Sequence, residues 1–162
     1  MSETLGVQIR LTRPGATVPK YATDGAAACD LTAAIDTPIT IPRGGSASIP
    51  TGIAISMERK DVVAIVCARS GLAFKHGLSL VNGIGVIDSD YRGEIGVGLR
   101  NNGSADYTVQ PGERIAQLMF MPCLAAVEID FIAFLVKVKI YRKRVRITAV
   151  TVNGKHTAQL LL

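Results

Sequence analysis

The stretch "GVIDSDYRGEIGVGL", residues 85–99, places two carboxylates, Asp88 and Asp90, with Tyr91 and Arg92 between two apolar runs interleaved with glycine. Asp and Ser favour tight turns because their side chains bond nearby backbone, so a "DSD" tip taken alone needs nothing beyond solvated turn chemistry. Its company asks for more. The stretches "AAACDLTAA" at 26–34, "ARSGLAFKHG" at 68–77 and "PGERIAQLMF" at 111–120 each join small residues to a charged or amide side chain. Small residues let a backbone approach a ligand closely. In "RSG" the guanidinium of Arg69, the hydroxyl of Ser70 and the N–H groups around Gly71 suit an anion such as a phosphate. A triplet this short is common and decides nothing by itself.

The elements that must position these residues read as β-strands. From Val7 to Glu128 the segments "VQIRL", "PITIP", "SASIPTGIAISM", "DVVAIVCA", "LSLVNGIGVI", "EIGVGLRN", "YTVQPG" and "RIAQLMFMPC" alternate or run apolar, broken by Gly, Pro, Asn and Asp. The pattern predicts about ten strands. No segment keeps a 3.6-residue apolar period for three turns, which argues against parallel βαβ units and leaves a sandwich, jelly roll or barrel. The "GIG" at Gly83–Gly85 is no dinucleotide fingerprint, lacking the third glycine and a following helix. Lys75 and His76 read as solvent-exposed residues of a loop after "RSG", without a role.

At 162 residues the chain suffices for one domain with a real core. Its formal net charge of +5 is unevenly spread: residues 1–130 carry 11 Lys and Arg against 13 Asp and Glu, whereas 131–162 carry seven basic residues and no acid. The basicity therefore belongs to a tail, and the sequence divides into a β domain at 1–130 and an atypical segment at 131–162. Cys29, Cys67 and Cys123 are far apart among apolar neighbours, a pattern of reduced thiols rather than of a metal pair or disulfide framework. "MSETLGVQIR" lacks the apolar core of a signal peptide, and "FIAFLV" is far shorter than the roughly 20 residues of a membrane-spanning helix. The expectation is a cytoplasmic protein with no membrane span.

Taken in order, the four stretches resemble the first four motifs of the trimeric deoxyuridine triphosphatases (dUTPases), over roughly residues 7–130. The resemblance implies an all-β fold, a distorted-barrel jelly roll, assembled as a homotrimer with active sites between subunits. It also implies Mg²⁺-dependent hydrolysis of dUTP to dUMP and pyrophosphate, which limits uracil in DNA and supplies dUMP for thymidylate synthesis. By position it puts Asp88 on the carboxylate that orients and deprotonates the water attacking the α-phosphate. Tyr91 falls on the ring that packs against deoxyribose and leaves no room for a 2′-hydroxyl. Asn82 and the backbone from Gly83 to Val86 match the hairpin that reads uracil, where cytosine's amino group would leave polar groups unpaired. Asp30 matches an acid near the metal, acting through water because Mg²⁺ keeps much of its hydration shell. Arg69, Ser70, Gly71 and Gln117 match phosphate contacts. Asp90 and Arg92 read as turn residues paired with neighbours, and Arg114 as an architectural residue tied to a turn or an adjacent subunit. Ala68 stands where the family usually has proline, and Cys29 where it often has an aromatic or smaller residue.

The resemblance stops at the tail. The family ends in a glycine-rich arm, Arg-Gly-x-Gly-Gly-Phe-Gly-Ser-Thr-Gly, that closes over another subunit's nucleotide, and "FIAFLVKVKIYRKRVRITAVTVNGKHTAQLLL" contains no such arm. TTA-TCG-GAA-ACG encodes the family lead-in Leu-Ser-Glu-Thr and, read one nucleotide late, gives "YRKR", residues 141–144; GGC-GGT-TAC-GGT, encoding Gly-Gly-Tyr-Gly, gives "AVTV", residues 149–152, in the same late frame. The tail thus reads as a charged edge strand, a nucleic-acid patch, a stretch with no native structure, or a frameshifted arm, the last although "VRIT" does not decode to Arg-Gly. Loss of an arm that excludes water and fixes the triphosphate predicts weakened turnover. Two other readings stand beside this one. A dCTP deaminase relative shares the fold but fits "VIDSDYRG" less well. A catalytically silent nucleotide-binding or interaction module would use the basic tail as its arm, with non-specific nucleic-acid contacts.

Overall fold

In the segment "VVAIVCA", Val62, Ala64 and Val66 are buried while Val63, Ile65 and Cys67 are partly exposed, the two-residue period of a strand with one face on a core. The computed structural model describes residues 4–124, 128–132 and 135–139. In chain order its elements are β1 (Val7–Leu11), β2 (Cys29–Thr32), β3 (Ile39–Ile41), β4 (Ser46–Pro50), β5 (Ile53–Met57), β6 (Val62–Ala68), α1 (Ser70–His76), β7 (Leu78–Leu80), β8 (Gly85–Ile87), β9 (Gly96–Asn101), β10 (Tyr107–Val109) and β11 (Arg114–Pro122), followed by β12 (Glu128–Ile132) and β13 (Leu135–Lys139). The chain divides into two units, Met1–Met121 and Pro122–Leu162.

In the first unit β2, β11, β6 and β8 lie side by side in that order, β4, β9 and β7 form a three-stranded sheet, and β1 pairs with β5 and β3 with β10. The β1–β5, β3–β10, β2–β11, β6–β8, β4–β9 and β7–β9 pairings are all antiparallel. This is the expected all-β jelly roll. Its inner faces meet in one apolar cluster, where Leu31, Ile41, Ile49, Ile53, Ile95, Val97, Leu99, Ile115 and Leu118 are no more than 2% exposed. Burying each such side chain contributes about 1.5–3 kcal/mol.

Two elements were not anticipated. Residues 70–76, read as a loop, form α1, which is too short to show three turns of apolar period and buries only Leu72. Gly77 ends it in the left-handed region (φ 70°), donating its N–H to Ala73 O, and a Cβ on Gly77 would lie 2.6 Å from Gly103 N. Lys75 and His76 therefore occupy a last helical turn, with the His76 ring centroid 4.8 Å from that of Tyr107. The second is β2, hidden in a run of alanines, where Cys29 and Leu31 point inward and Asp30 and Thr32 lie on the more open face.

The second unit contains an antiparallel hairpin of β12 and β13, with Ile129 opposite Val138. The compositional step between residues 130 and 131 falls inside β12. Residues 141–152, on which the codon argument rests, lie outside the described residues.

One buried amide ties several loops together. Asn101, 0% exposed, donates from Nδ2 to Ile41 O (3.0 Å) and Ala105 O (2.9 Å) and accepts the Gly103 N–H at Oδ1 (2.9 Å). Asn101→Ala strands those backbone groups, and urea unfolding is expected to show a loss of about 2–3 kcal/mol; a loss within experimental error would contradict this account.

Candidate active site

The strand order determines which candidate residues meet. In the β2–β11 ladder Gln117 stands opposite Asp30 and Arg114 opposite Thr32, so all four belong to one face. Residues 114 and 117 would face opposite sides of a regular strand. A bulge between Arg114 and Ala116 resolves this: Ile115 and Ala116 are both buried, and Arg114 and Gln117 share the outer face. Arg69, leaving the end of neighbouring β6, reaches across β11. Its Nε donates to Asp30 Oδ1 (3.1 Å) and its Nη1 to Arg114 O (3.0 Å), while Arg114 Nη1 donates to Asp30 Oδ2 (3.1 Å). The two guanidinium groups thus hold both oxygens of a carboxylate whose side chain is 11% exposed. Arg114, expected as an architectural residue tied to a turn or an adjacent subunit, here joins the Asp30 cluster. Ser70 and Gly71 open α1 beside this cluster and are exposed. Thr17, Val18, Lys20 and Tyr21 complete a cleft of about 350 Å³ against Asp30, Thr32 and Arg114.

The charged hairpin is built differently. Gly83 takes φ 74°, and Asn82 O accepts the Ile84 N–H (2.8 Å), forming the link from β7 to β8. β8 is the outer strand of its sheet, so one side of its backbone is not used by that sheet, and Val86 is 57% exposed. Beyond β8, Asp88 O accepts the Tyr91 N–H (3.1 Å) and leaves the Asp88 carboxylate in the exposed turn. Arg92 Nη1 donates to Ser89 O (2.8 Å) and Tyr91 O (2.9 Å), the neighbour pairing expected of a turn arginine. The Tyr91 hydroxyl donates to Glu94 O (3.0 Å).

Glu94 is a residue that sequence reasoning missed. Its carboxylate accepts Thr12 Oγ1 (2.8 Å), Arg13 Nη2 (3.1 Å) and the Gly52 N–H (3.2 Å), tying the turn to the end of β1 and the start of β5. Partial burial pushes the Glu94 carboxyl pKa up, but the hydrogen bonds from Thr12, Arg13 and Gly52 and the charge of Arg13 outweigh it and hold the group below its ordinary value. Glu113, likewise missed, accepts the Tyr107 phenol, whose pKa rises to about 12 through burial first and then this bond and the Glu113 charge. Glu113 also accepts the Gln110 N–H (2.9 Å) and so sets the turn before Arg114. No local signal reveals either network, because the partners lie on other strands or depend on a turn's geometry.

A single chain leaves the candidates in separate places. With Val66 opposite Gly85 and Ala64 opposite Ile87, Asp88 emerges beside the Val63 end of β6, and Arg69 leaves the other end. The six steps from residue 63 to 69 span roughly 20 Å. Asp30, Arg69, Arg114 and Gln117 come together; Asp88 and Tyr91 form a second group. Among the described residues, no three of His, Cys, Asp and Glu gather into a metal-holding cluster. Also among them, no helix is long and apolar enough to cross a membrane.

A sequence model of the dUTPase family matches residues 15–149. The chain is 55% identical over 105 residues to the deoxyuridine 5′-triphosphate nucleotidohydrolase of Desulfitobacterium hafniense, covering 65% of this chain and 70% of that one. It is 51% identical over 109 residues to the enzyme of that name from Leptothrix cholodnii, covering 67% and 73%. Among solved structures, a dUTPase variant from phage phi11 of S. aureus that coordinates a structural Mg(II) ion superposes with a TM-score of 0.67 at 23% identity, covering 74% of this chain and 92% of that one. A Staphylococcus bacteriophage 80alpha dUTPase with dUpNHpp gives 0.72 at 22% identity, covering 83% and 92%. At that identity the structures bear on the fold alone.

Two outcomes follow from these networks. Because the Glu94 pKa is lowered on folding, its contribution is fully present above the ordinary value of 4.5 and is lost as pH falls through the folded value. Thermal melts should show a stability loss on acidification below that value that is smaller in Glu94→Gln. For the cluster, Asp30→Asn should cost about 1–3 kcal/mol in urea unfolding, since it leaves two guanidinium groups without their counter-charge. Arg114→Met, removing a side chain that is 56% exposed, should cost under about 1 kcal/mol; the reverse order would place the stabilisation elsewhere.

Proposed function

This chain belongs to the dUTPase family, and on that footing we propose that it hydrolyses dUTP to dUMP and pyrophosphate. The observation that carries the reading is the 55% identity to a dUTP nucleotidohydrolase over 105 residues. Support for the chemistry comes from the two groups of side chains. Asp88, on a turn clamped by Arg92 and backbone bonds, accepts a proton from the water that attacks the α-phosphorus. The bond from the α-phosphorus to the bridging oxygen breaks, and pyrophosphate leaves with its charge met by Arg69, the Ser70 hydroxyl, the Gly71 N–H and Gln117. Asn82 and the backbone from Gly83 to Val86 read the uracil edge, and the Tyr91 ring lies against the deoxyribose. The roughly 20 Å between the two groups supports a homotrimer in which one subunit's Asp88 and Tyr91 serve another's Arg69 cluster.

Mg²⁺ bound to the phosphates would neutralise developing charge and hold the triphosphate in one conformation. Asp30 suits an indirect role towards it. Each of its oxygens already accepts one guanidinium bond, and a carboxylate offers further lone pairs for a water on the ion. A cytoplasmic location is consistent with three free cysteines. The segment 131–162 stands in place of the glycine-rich arm as a product of a shifted reading frame, so turnover is weaker than in a chain that carries the arm. Resequencing codons 125–155 tests that origin: absence of any glycine-rich alternative frame would remove it.

The decisive assay follows pyrophosphate release from dUTP, with dCTP, dTTP and UTP as controls, with and without Mg²⁺, on the full chain and on Asp88→Asn. Metal-dependent release from dUTP alone is expected, with kcat reduced by roughly 10²–10⁴-fold in Asp88→Asn and KM little changed. Uracil-specific binding without release would instead support a silent module whose tail has removed catalysis.

A further inference from the structure

The Tyr91 ring is seated on bare backbone. A Cβ placed on Gly93 would lie 2.7 Å from Tyr91 Cζ and 3.1 Å from Cε2, and still closer to its hydroxyl oxygen. The hydroxyl is simultaneously fixed to Glu94 O at 3.0 Å, and Tyr91 as a whole keeps 42% of its surface exposed. One edge of the ring therefore rests in a notch that only a residue without a side chain leaves open, and another side faces outward. Gly93 does not have a positive φ, so its backbone accepts alanine without strain. The atoms an alanine would meet are the far end of a side chain that can turn aside. Alanine at this position displaces the ring more readily than it unfolds the chain.

We propose that Gly93 is a specificity-positioning residue: it sets the depth of the Tyr91 ring and thereby the exclusion of a ribose 2′-hydroxyl, an inference that rests on the reading of Tyr91 as the sugar-facing side chain. Glu94 completes the seat from below, its carbonyl holding the phenol and its carboxylate holding that carbonyl's residue to Thr12, Arg13 and Gly52. Exclusion of one hydroxyl by an apolar surface is sensitive to such placement, because it depends on the absence of space rather than on a bond. A ring lifted from the notch no longer closes that space.

The test compares binding of the imido analogues of dUTP and UTP to the full chain, so that no turnover is needed. The proteins are wild type, Gly93→Ala, Tyr91→Ala and the double variant, with thermal melts confirming that each is folded. Wild type is expected to favour the deoxy analogue, and Gly93→Ala to lower that preference roughly tenfold. In the Tyr91→Ala background the same glycine change should alter the preference by less than about twofold, since a residue acting through the ring has nothing left to act on. An unchanged preference in Gly93→Ala, a parallel loss of both nucleotides, or an equal effect in both backgrounds would each overturn the role of Gly93. A wild type without any preference would defeat the reading of Tyr91 itself, and the inference with it.

Discussion

A carboxylate sheltered as Asp30 is, with 11% of its side chain exposed, has to be matched by donors that remain in place. Arg69 and Arg114 supply them, one from the end of β6 and one from β11, and the Arg69 bond to Arg114 O closes the ring of contacts. Three strands are thereby held in one lateral register at the spot where the phosphate-contacting residues of the family resemblance gather. The cluster works because its charges are part protected and part wet. Arg114 keeps 56% of its side chain in solvent, so it loses little hydration, whereas Arg69, at 23%, is held in one geometry by two acceptors. A guanidinium immobilised in this way gives up little further rotamer freedom when an anion arrives.

Much of the fold was legible because burial on one face writes a two-residue period into the chain, as in β6 and β9. β2 escaped because "AAACDLTAA" has too many small residues for the alternation to stand out, and α1 because seven residues give no sustained helical period. The candidate site was legible as residue types and order, not as geometry. Nothing local to Glu94 announces Thr12 or Gly52 as partners, since each contact depends on how β1, β5 and the turn before β9 pack. Arg114 reads from the sequence only as an architectural residue tied to a turn or an adjacent subunit, since nothing local marks the bulge that brings it onto the face of Gln117.

The charged turn shows how a loop can be exposed and still well defined. Its backbone is fixed from inside by the Arg92 guanidinium on two carbonyls, and from outside by the Glu94 carboxylate on Thr12, Arg13 and Gly52. Between these anchors the carboxylate of Asp88 stays exposed. Rigidity is carried by polar bonds at the margin of the turn, where water can reach them, rather than by apolar packing beneath it. Such a turn yields to acid and salt sooner than the core does.

The bulge in β11 also makes that strand count its own residues. Ahead of it, side chains at even numbers such as Arg114 look outward; after it, odd numbers such as Gln117 do, while Ile115 and Ala116 share the inside. The strand thus carries a change of parity, and its length is part of its meaning. Inserting a residue beside the bulge, or deleting one elsewhere in the strand, would turn one end of it inside out; an insertion after Ala116, for instance, trades a guanidinium for an isoleucine at the surface. Point substitutions can drift through such a segment far more freely than insertions or deletions can, so its divergence among descendants of one ancestor should be written in letters rather than in gaps.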